Sequence, residues 1–421
     1  MKYKEIEFGR TDIEVIDGDR GKKYPHQNEL LNNGFCVFLS ASNVTVSGFK
    51  FDSVVYITKE KDEQLKNGKL SRNDIVITTR GTVGNVALFD SDIPFNEMRI
   101  NSGMLIIRCH EMVDYKYLYY VLRGRGFQQQ IRQIVTGSAQ PQLPKSHLLK
   151  MLIAIPPLSV QKQISSILDK IDKKIANNNR INDNLLKQAQ TIFNDFFVTF
   201  GHFGGIIPDY WEKGTLQDIV EFSNGYAFKS KELLNTQEPN SYHVFKQGHI
   251  NRGGGFNSAG TKSWYPINKC TNLSKYILKK GDVLMAMTDM KDNVAILGNT
   301  ALMTVDNQYI VNQRVGLLRS NKYKSSSYAY IYLLTNSFDF LKDLRSRANS
   351  GVQVNLSSSE IKSSPIWIAS DEDNKEFNAL VEPLLNIIMT NDIVNQKLSE
   401  LRDSLLPKLM SGELDVSNIN F

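Results

Sequence analysis

Residues 155–197 read IPPLSVQKQISSILDKIDKKIANNNRINDNLLKQAQTIFNDFF, and residues 368–410 read IASDEDNKEFNALVEPLLNIIMTNDIVNQKLSELRDSLLPKLM. The two segments align without gaps at a constant offset of 213 residues, and the match extends upstream to Gln140 and Gln353. Solenoid and propeller repeats have far shorter periods. The sequence therefore predicts two tandem copies of a globular domain, each followed by one long helix.

Further upstream the repeat is weaker but persists. Asp74 returns as Asp282, Asn101 as Asn312 and Arg108 as Arg319. The tripeptide Asn85-Val86-Ala87 is aligned with Asn293-Val294-Ala295 on the same basis.

Both long segments carry seam residues, mostly apolar, at alternating steps of three and four, which is the spacing of a coiled-coil seam. Each helix would run for about 38 residues, or roughly 57 Å. Neither stripe can be buried by its own helix, so we expect the two helices to pair, and the intervening domain favours an antiparallel pair. The predicted pairing residues are Ile171, Ile175, Asn178, Asn182, Leu185, Ile192, Leu384, Ile388, Asn391, Asn395, Leu398 and Leu405.

The asparagines and the charges of the two segments also favour pairing. Each predicted seam carries two asparagines near its middle, and buried asparagines fix the register of paired helices. Residues 160–197 hold six basic and four acidic residues, whereas residues 373–410 hold four basic and six acidic. The alternative is that each helix packs on its own globular domain. Pro383 is unfavourable inside a helix, so the second helix could begin there.

The predicted organisation is a first domain over residues 1–155, a first helix over 156–200, a second domain over 201–370, and a second helix with a tail over 371–421. β-Branched runs such as residues 74–81 and 314–320 predict strands. Residues 115–134 and 327–344 each predict an amphipathic helix. The predicted class is α+β (α/β-like), and the strand order does not follow from the pattern.

Composition places the chain among globular proteins. Of its 421 residues, 41% are hydrophobic and 22% charged, with a net charge of +6. No apolar run is long enough for a membrane span, and the polar first 25 residues argue against secretion. Cys36, Cys109 and Cys270 are odd in number and far apart, which favours reduced thiols and a cytoplasmic location. The mild positive charge is compatible with a polyanionic partner.

The loops differ where the scaffold positions match. The turn after one predicted strand is TTRGTVG at residues 78–84 and AMTDMKD at residues 286–292. A shared scaffold with different loops is what two domains that read different DNA sequences would show. Drift in unimportant loops would look the same.

Candidate DNA contacts follow from side-chain chemistry. Arginine can bind guanine through two hydrogen bonds, and asparagine or glutamine can bind adenine in the same way. Lysines bind phosphate regardless of sequence, and glycines let the backbone approach it. In the first copy the candidates are Arg20, Lys22, Lys23, Thr79, Arg80, Gly81, Thr82, Gly84, Asn101 and Gln140. In the second copy they are Lys229, Lys246, Thr288, Lys291, Asn293, Gln308, Asn312, Gln313, Arg314 and Gln353. Each residue taken singly could be an ordinary surface side chain.

The sequence lacks the common motifs for nucleotide binding and metal binding. It contains no GxxxxGK[ST] phosphate loop and no GxGxxG dinucleotide motif, and its six histidines form no cluster with metal-ligand spacing. The sequence therefore predicts neither a catalytic constellation nor a metal site nor a cofactor bound by this chain.

Five stretches together carry a family resemblance. They are GDRGKKYP (18–25), ITTRGTVGNVA (77–87), NSGMLIIR (101–108), IPPLSVQKQISSILDKIDKKI (155–175) and LRDSLLPKLMSGELDV (401–416). They resemble the specificity subunits of type I restriction-modification systems over essentially the whole chain. The lead-in to Asp17 is the one departure, because it is shorter than its counterpart before Ser223.

The resemblance implies two target-recognition domains that each read one half of a bipartite site in double-stranded DNA. It implies that the antiparallel helices set the unread gap and dock two adenine methyltransferase subunits. An ATP-driven restriction subunit would be a further partner. S-adenosylmethionine, ATP and Mg²⁺ would be bound only by those partners, and this chain would catalyse no reaction. The alternative is a non-catalytic anti-restriction or interaction protein that binds the methyltransferase through the coiled coil. A nuclease or methyltransferase of unfamiliar design is the remaining rival, and turnover of DNA by the isolated chain would favour it.

Overall fold

The computed structural model describes residues 3–135, 141–290, 294–350 and 353–416. The chain divides into two compact units, one formed by residues 1–174 with 398–421 and the other by residues 175–397. Each unit therefore contains one globular domain and a part of both long helices. The domain boundaries near residues 155, 200 and 370 remain predictions.

The first half of the chain forms eleven described strands and the first long helix. The strands are β1 Glu5–Glu7, β2 Glu14–Asp17, β3 Cys36–Leu39, β4 Val44–Thr45, β5 Gly48–Phe49, β6 Val55–Ile57, β7 Ile75–Thr78, β8 Val86–Leu88, β9 Met98–Ile100, β10 Met104–Arg108 and β11 Leu152–Ala154. The helices are α1 Lys59–Gln64, α2 Tyr115–Arg123, α3 Arg125–Val135, α4 Lys145–Leu148 and α5 Leu158–Phe197.

The second half repeats this order with additions. The strands are β12 Glu212–Thr215, β13 Val220–Asn224, β14 Ser241–Phe245, β15 Trp264–Pro266, β16 Val283–Ala286, β17 Thr288–Met290, β18 Thr300–Leu302, β19 Tyr309–Val311, β20 Val315–Ser320, β21 Asn349–Ser350, β22 Gln353–Asn355 and β23 Pro365–Ile368. The helices are α6 Leu216–Ile219, α7 Tyr328–Thr335, α8 Phe338–Ser346, α9 Ser358–Lys362 and α10 Asp371–Ser411.

The strand order is the same in the two domains. The central sheet is β2-β10-β7-β8 in the first domain and β13-β20-β16-β18 in the second. A three-stranded sheet accompanies each, β6-β3-β9 and β15-β14-β19, and in both its last pair is parallel. The first strand of each domain pairs with the last, β1 with β11 and β12 with β23. This identity confirms the predicted tandem domains and the α+β class.

The central sheet is buried on both faces, which explains the apolar runs of its inner strands. In β7, Ile75 and Ile77 face a core formed with α2 and α3, whereas Val76 faces a second core beside β3 and β9. Successive side chains of a strand point to opposite faces. A strand covered on both sides is therefore apolar at most of its positions.

The prediction of one helix over residues 115–134 and one over residues 327–344 was wrong in one respect. Each segment forms two consecutive helices instead of one. Gly124 ends α2 with an extended backbone (φ −66°, ψ 149°), and α3 begins at the next residue. In the second domain α7 ends before Asn336, and Ser337 is extended before α8. The break turns each second helix onto the sheet, where Phe127 and Phe340 are buried.

Helices α5 and α10 pair in antiparallel fashion within each unit. In the second unit, the Asn178 side-chain amide donates to Asn395 Oδ1 at 2.8 Å, and that of Asn391 donates to Asn182 Oδ1 at 2.8 Å. In the first unit, Arg402 forms an ion pair with Asp172 at 2.7 Å. The structure thus brings the predicted seam asparagines into contact across the pair.

The helices also pack on the globular domains. Ile164 and Leu168 of α5 share a core with Leu409 and with Tyr117 of α2. In the second unit, Phe193 of α5 shares a core with α10 and with the second domain. The predicted pairing is confirmed, and each helix packs on both domains rather than only on its own, because the apolar face of each helix is wide enough for two neighbours.

The buried stripe of α10 corrects the predicted seam. Its fully buried residues in the second unit are Phe377, Val381, Leu385 and Met389. From Val381 onward this stripe runs one residue later than the predicted seam, so Leu384 and Ile388 are only partly buried. The buried residues of α10 face the globular domain as well as α5. The spacing of apolar residues along the helix does not show where that domain surface lies. The other apolar pairing residues, also partly buried, are Ile171, Ile175, Leu185, Ile192, Leu398 and Leu405.

Helix α10 begins at Asp371 and continues through Pro383, so a start at the proline was wrong. Ser370 caps the helix by accepting the Asp373 amide at 3.1 Å, and acidic residues occupy the first turn, which favours a helix N-terminus. Pro383 is exposed, and the neighbouring buried side chains hold the helix across the missing hydrogen bond.

An ion pair repeated in both domains explains two of the repeated residues. Arg108 donates to both carboxylate oxygens of Asp74 at 2.9 and 2.8 Å. Arg319 donates to those of Asp282 at 2.8 and 2.7 Å. Each pair ties the turn before one central strand to the end of its neighbour, so these residues serve the scaffold. No helix in the described part of the chain is long and apolar enough to cross a membrane.

Candidate nucleic-acid interface

Four segments meet at one end of the central sheet of the first domain: the end of β2, the loop after β7, the turn between β9 and β10, and the segment before α4. The Thr79 amide donates to the Gly103 carbonyl at 2.8 Å, and the Leu143 amide donates to the Thr79 carbonyl at 3.0 Å. Arg80 continues this pairing as a β-bridge to Gln142. The predicted contact loops therefore form one surface on a rigid support.

A cleft of about 280 Å³ opens between these segments. Arg20, Arg80 and Lys145 line it together with Asp17 and Gln142. Arg20 forms an ion pair with Asp17 at 3.0 Å, and the Lys145 ammonium donates to a backbone carbonyl of β2 at 2.6 Å. Three cations around one carboxylate give a concave surface a positive potential, which attracts phosphate.

The second domain brings the equivalent segments together by the same hydrogen bonds. The Met287 amide donates to the Arg314 carbonyl at 3.2 Å, and the Leu356 amide donates to the Met287 carbonyl at 2.9 Å. Thr288 pairs with Asn355 across strands β17 and β22. Thr288 and Asn355 therefore occupy the places of Arg80 and Gln142.

The two surfaces differ most in charge at equivalent positions. Asn224 stands at the place of Asp17, since each pairs with the same point of the next strand. Ser358 stands at the place of Lys145 and donates a hydrogen bond to Asn224 Oδ1 at 2.9 Å. Charged groups in the first domain are thus replaced by amides and hydroxyls in the second. The two surfaces offer different donors and acceptors to a ligand.

The repeated asparagines Asn101 and Asn312 shape the turn within this cluster. Asn101 Oδ1 accepts the Gly103 amide at 2.9 Å, and Asn312 Oδ1 accepts the Arg314 amide at 3.4 Å. A Cβ on Gly18 or Gly225 would lie 2.2 Å from the carbonyl oxygen of the respective asparagine. Each turn thus presses against a glycine of the lead-in strand. The structure explains the repetition of both asparagines by this geometry.

The loop after β7 contains both exposed and buried candidates. Gly81 (φ +72°) and Thr82 are exposed beside Arg80, whereas Thr79 is only 6% exposed. Gly84 is buried, and a Cβ there would lie 3.0 Å from Gln128 Oε1. Its amide donates to the Thr78 carbonyl at 2.9 Å. The structure therefore accounts for Gly84 by packing rather than by an approach to phosphate.

The remaining candidates lie at varied distances from the two surfaces. Gln308 precedes β19 whereas Asn312 follows it, so the strand separates Gln308 from the cluster. Burial lowers the pKa of the half-buried Lys246. Exposed side chains are found at Lys22, Lys23, Lys229, Gln313 and Arg314. Gln353 is described through its backbone, which pairs with Met290. Gln140, Lys291 and Asn293 lie outside the described residues.

The loop after β16 is longer than its counterpart, which corrects the tripeptide alignment. Val86 pairs with Ile77 of the inner strand, and Thr300 pairs with the equivalent Met285. Gly84 and Gly298 precede them with positive φ of 93° and 77°. Asn85-Val86-Ala87 therefore corresponds to Asn299-Thr300-Ala301. An identical Asn-Val-Ala within the longer loop misled the sequence comparison.

Sequence reasoning missed five residues of the two surfaces: Gln142 and Lys145 in the first domain, and Asn224, Asn355 and Ser358 in the second. Gln142 and Lys145 lie inside the segment where the repeat is strongest, yet their counterparts are Asn355 and Ser358. A substitution that changes the type of side chain inside a well-matched segment could have indicated a residue that differs between the two surfaces. Asn224 carried no such signal, because the lead-in strands match poorly.

Several titratable groups of the described residues are buried, which shifts their pKa values. In the described part of the chain, no three His, Cys, Asp or Glu side chains are placed to hold a metal. The rings of His243 and His249 lie 4.9 Å apart, and burial lowers the pKa of both, that of His249 to about 4. Burial raises the pKa of Cys36 and Cys109 to about 12, so these thiols stay protonated at neutral pH.

Comparisons with known proteins agree with this architecture. The family model described as the type I restriction modification DNA specificity domain matches residues 11–187 and again 208–402. The type I restriction enzyme MjaIX specificity subunit of Methanocaldococcus jannaschii is 26% identical over 363 residues, covering 83% of this chain and 79% of that protein. The HindI specificity subunit of Haemophilus influenzae is 21% identical over 442 residues, covering 90% and 94%. The crystal structure of a type I restriction-modification S subunit from M. genitalium shares the fold, with a TM-score of 0.59 at 15% identity over 97% of this chain and 96% of that one.

Proposed function

The chain belongs to the family of type I restriction-modification specificity subunits, and from this premise we propose that it reads a DNA site in two separated halves. The first domain binds one half through the surface that contains Arg80, and the second domain binds the other through the surface that contains Thr288. The observation that carries this proposal is the pair of loop surfaces, which occupy equivalent places on the central sheets of the two domains but differ in chemistry. Helices α5 and α10 set the length of DNA between the halves.

The proposal includes partners that perform the chemistry. Adenine methyltransferase subunits, two for each chain, bring S-adenosylmethionine and flip the target base, because a stacked base is inaccessible to an active site. A restriction subunit supplies ATP-dependent translocation and cleavage with Mg²⁺. The chain itself catalyses no step and acts in the cytoplasm. The names of the related subunits support the assignment to such a complex.

The experiment is co-expression with the methyltransferase encoded beside this chain, followed by genome-wide mapping of N6-methyladenine. We expect a split motif with a fixed gap, which appears only when this chain is present. Methylation that is indifferent to the chain would contradict the proposal. That result would favour the alternative, an interaction protein that binds the methyltransferase without directing it.

Arg80→Ala is expected to relax the first half of the motif and leave the second half unchanged. A bidentate contact from arginine to a base contributes about 1–3 kcal/mol of discrimination, so the preference at one position would fall by about fivefold to 150-fold. The measurement is the same methylation map, with counts compared between cognate sites and sites that differ at one base pair.

Thr288→Ala is the matched control, because Thr288 occupies the equivalent place in the second domain. Its effect should be confined to the second half of the motif. If either variant relaxes both halves equally, the assignment of one half to each domain is wrong.

Inserting four residues into both α5 and α10 is expected to lengthen the gap by about two base pairs. Four residues add about one helical turn, or roughly 6 Å, close to two base-pair steps of about 3.4 Å. The same mapping would report the new gap. An insertion of four residues into one exposed loop, at Gly204, is the control and should leave the gap as it was. An unchanged gap in the helix variant would refute the role of the helices as a ruler.

A further inference from the structure

One carboxylate organises the long loop between β16 and β18 of the second domain. Asp289 Oδ2 accepts the backbone amides of Ala295, Ile296 and Leu297 at 2.7, 2.7 and 3.2 Å. Its Oδ1 accepts the amide of Met290 at 2.8 Å. Hydrogen bonds to a carboxylate are about twice as strong as those between neutral groups. A single side chain therefore fixes both flanks of the loop.

Three further contacts hold the same loop from outside. Arg345 Nε donates to the Leu297 carbonyl at 2.9 Å, so both backbone groups of Leu297 are bound. Gln247 donates to the Thr288 carbonyl at 2.6 Å. Strand β17 pairs with β22 over three residues, whereas the equivalent described residues of the first domain make one bridge, Arg80 to Gln142. The described flanks of the loop, residues 288–290 and 294–297, are therefore held in one conformation by more contacts than a solvated connection needs.

The described flanks of the loop display two apolar side chains. Met290, at the end of β17, is 61% exposed, and Val294 on the returning flank is 38% exposed. A single exposed methionine is ordinary on a protein surface. Here, however, it stands on a rigid support within the loop cluster, where Gly81 and Thr82 stand in the first domain. Rigid display reduces the entropy lost when a side chain binds.

We infer that the described flanks of this loop determine the specificity of the second half-site, with Asp289 as the positioning residue and Met290 as the contact to a base edge. The inference rests on the proposed function, in which the second domain reads DNA. An apolar side chain in the major groove recognises the methyl group of thymine. Asp289 does not itself touch DNA, because its oxygens are occupied by backbone amides and its charge would repel phosphate.

The test uses the full-length chain, co-expressed with the methyltransferase encoded beside it, and maps N6-methyladenine for Asp289→Ala and Met290→Ala. Asp306→Ala is the matched control. Asp306 also accepts a backbone amide through its carboxylate, from Lys280 at 2.9 Å, but it lies at the other end of the central sheet. Thermal unfolding of each purified variant accompanies the maps.

We expect both loop variants to keep the first half of the motif and the gap. Methylation at sites with one altered base pair in the second half should rise at least tenfold relative to cognate sites. For Met290→Ala the relaxed position should be one occupied by an A·T pair. Asp306→Ala should give the map of the unaltered chain.

An unchanged second half in Met290→Ala would overturn the inference, and because Met290 is exposed this variant remains informative even if Asp289→Ala fails to fold. Equal relaxation of both halves, or relaxation by Asp306→Ala, would also overturn it, since the effect would then reflect a weakened fold. Absence of any split motif with the unaltered chain is a different result, and it would refute the proposed function.

Discussion

Arg319→Ala is expected to lower the free energy of unfolding of the second domain by about 3 kcal/mol. Asp282 is buried, with 6% of its side chain exposed, and Arg319 is its bidentate partner. Removing one member of a buried ion pair leaves an uncompensated charge, which costs about 3–5 kcal/mol. The lower end applies because the Arg319 side chain is 26% exposed. Denaturant unfolding and hydrogen exchange of the β16 and β20 amides would measure the loss.

Two companion variants make this prediction specific. Arg108→Ala removes the equivalent partner of Asp74 and should raise exchange in the first domain while leaving the second as it was. Asp282→Asn combined with Arg319→Ala should cost less than Arg319→Ala alone, because no buried charge remains. If the double variant were the less stable of the two, the stranded carboxylate would not be the cause.

Asp392→Asn is expected to raise the free energy of unfolding at pH 7.5 by as much as about 3 kcal/mol. Burial raises the pKa of Asp392 from 3.8 to about 6. Each pKa unit corresponds to about 1.4 kcal/mol, so keeping this group ionised in the folded protein is costly at neutral pH. Asparagine would remove the charge and could still accept the hydrogen bond that Asn182 donates at 3.0 Å.

The pH dependence of this effect has a defined sign. Between about pH 4 and pH 6 the folded chain holds a proton on Asp392 that the unfolded chain releases. Stability of the unaltered protein therefore falls as pH rises through that window, and it stays lower above it. The gain from Asp392→Asn should accordingly vanish below about pH 4. Denaturant unfolding at a series of pH values would show this.

The helix pair provides its own control for Asp392. Asn179 occupies the equivalent place on α5 and accepts the Asn395 amide at 2.8 Å, just as Asp392 accepts that of Asn182. Asn179 is exposed, so Asn179→Asp should change stability little at any pH. A large loss in that variant would mean that charge at either place is harmful regardless of burial.

The sequence by itself determined the features that depend on local periodicity. The tandem repeat follows from the ungapped match of two segments, and the two long helices and the asparagines in their seam follow from side chains spaced at three and four residues. Such spacing places side chains on one helix face whatever surrounds them. Asn178 and Asn182 could be placed at a helix interface for this reason, and the structure pairs them there with Asn395 and Asn391.

Only the tertiary structure decided which residues form the two surfaces. Arg80, Gln142 and Lys145 come from segments separated by more than 60 residues, and their proximity depends on backbone hydrogen bonds between loops. Those bonds have no period in the sequence. The buried residues of α10 were likewise decided by tertiary structure, because they pack on the second domain. The spacing of apolar residues along the helix carries no information about that surface. Local patterns thus fixed the elements, whereas contacts between distant loops, which satisfy buried backbone groups in three dimensions, fixed the candidate site.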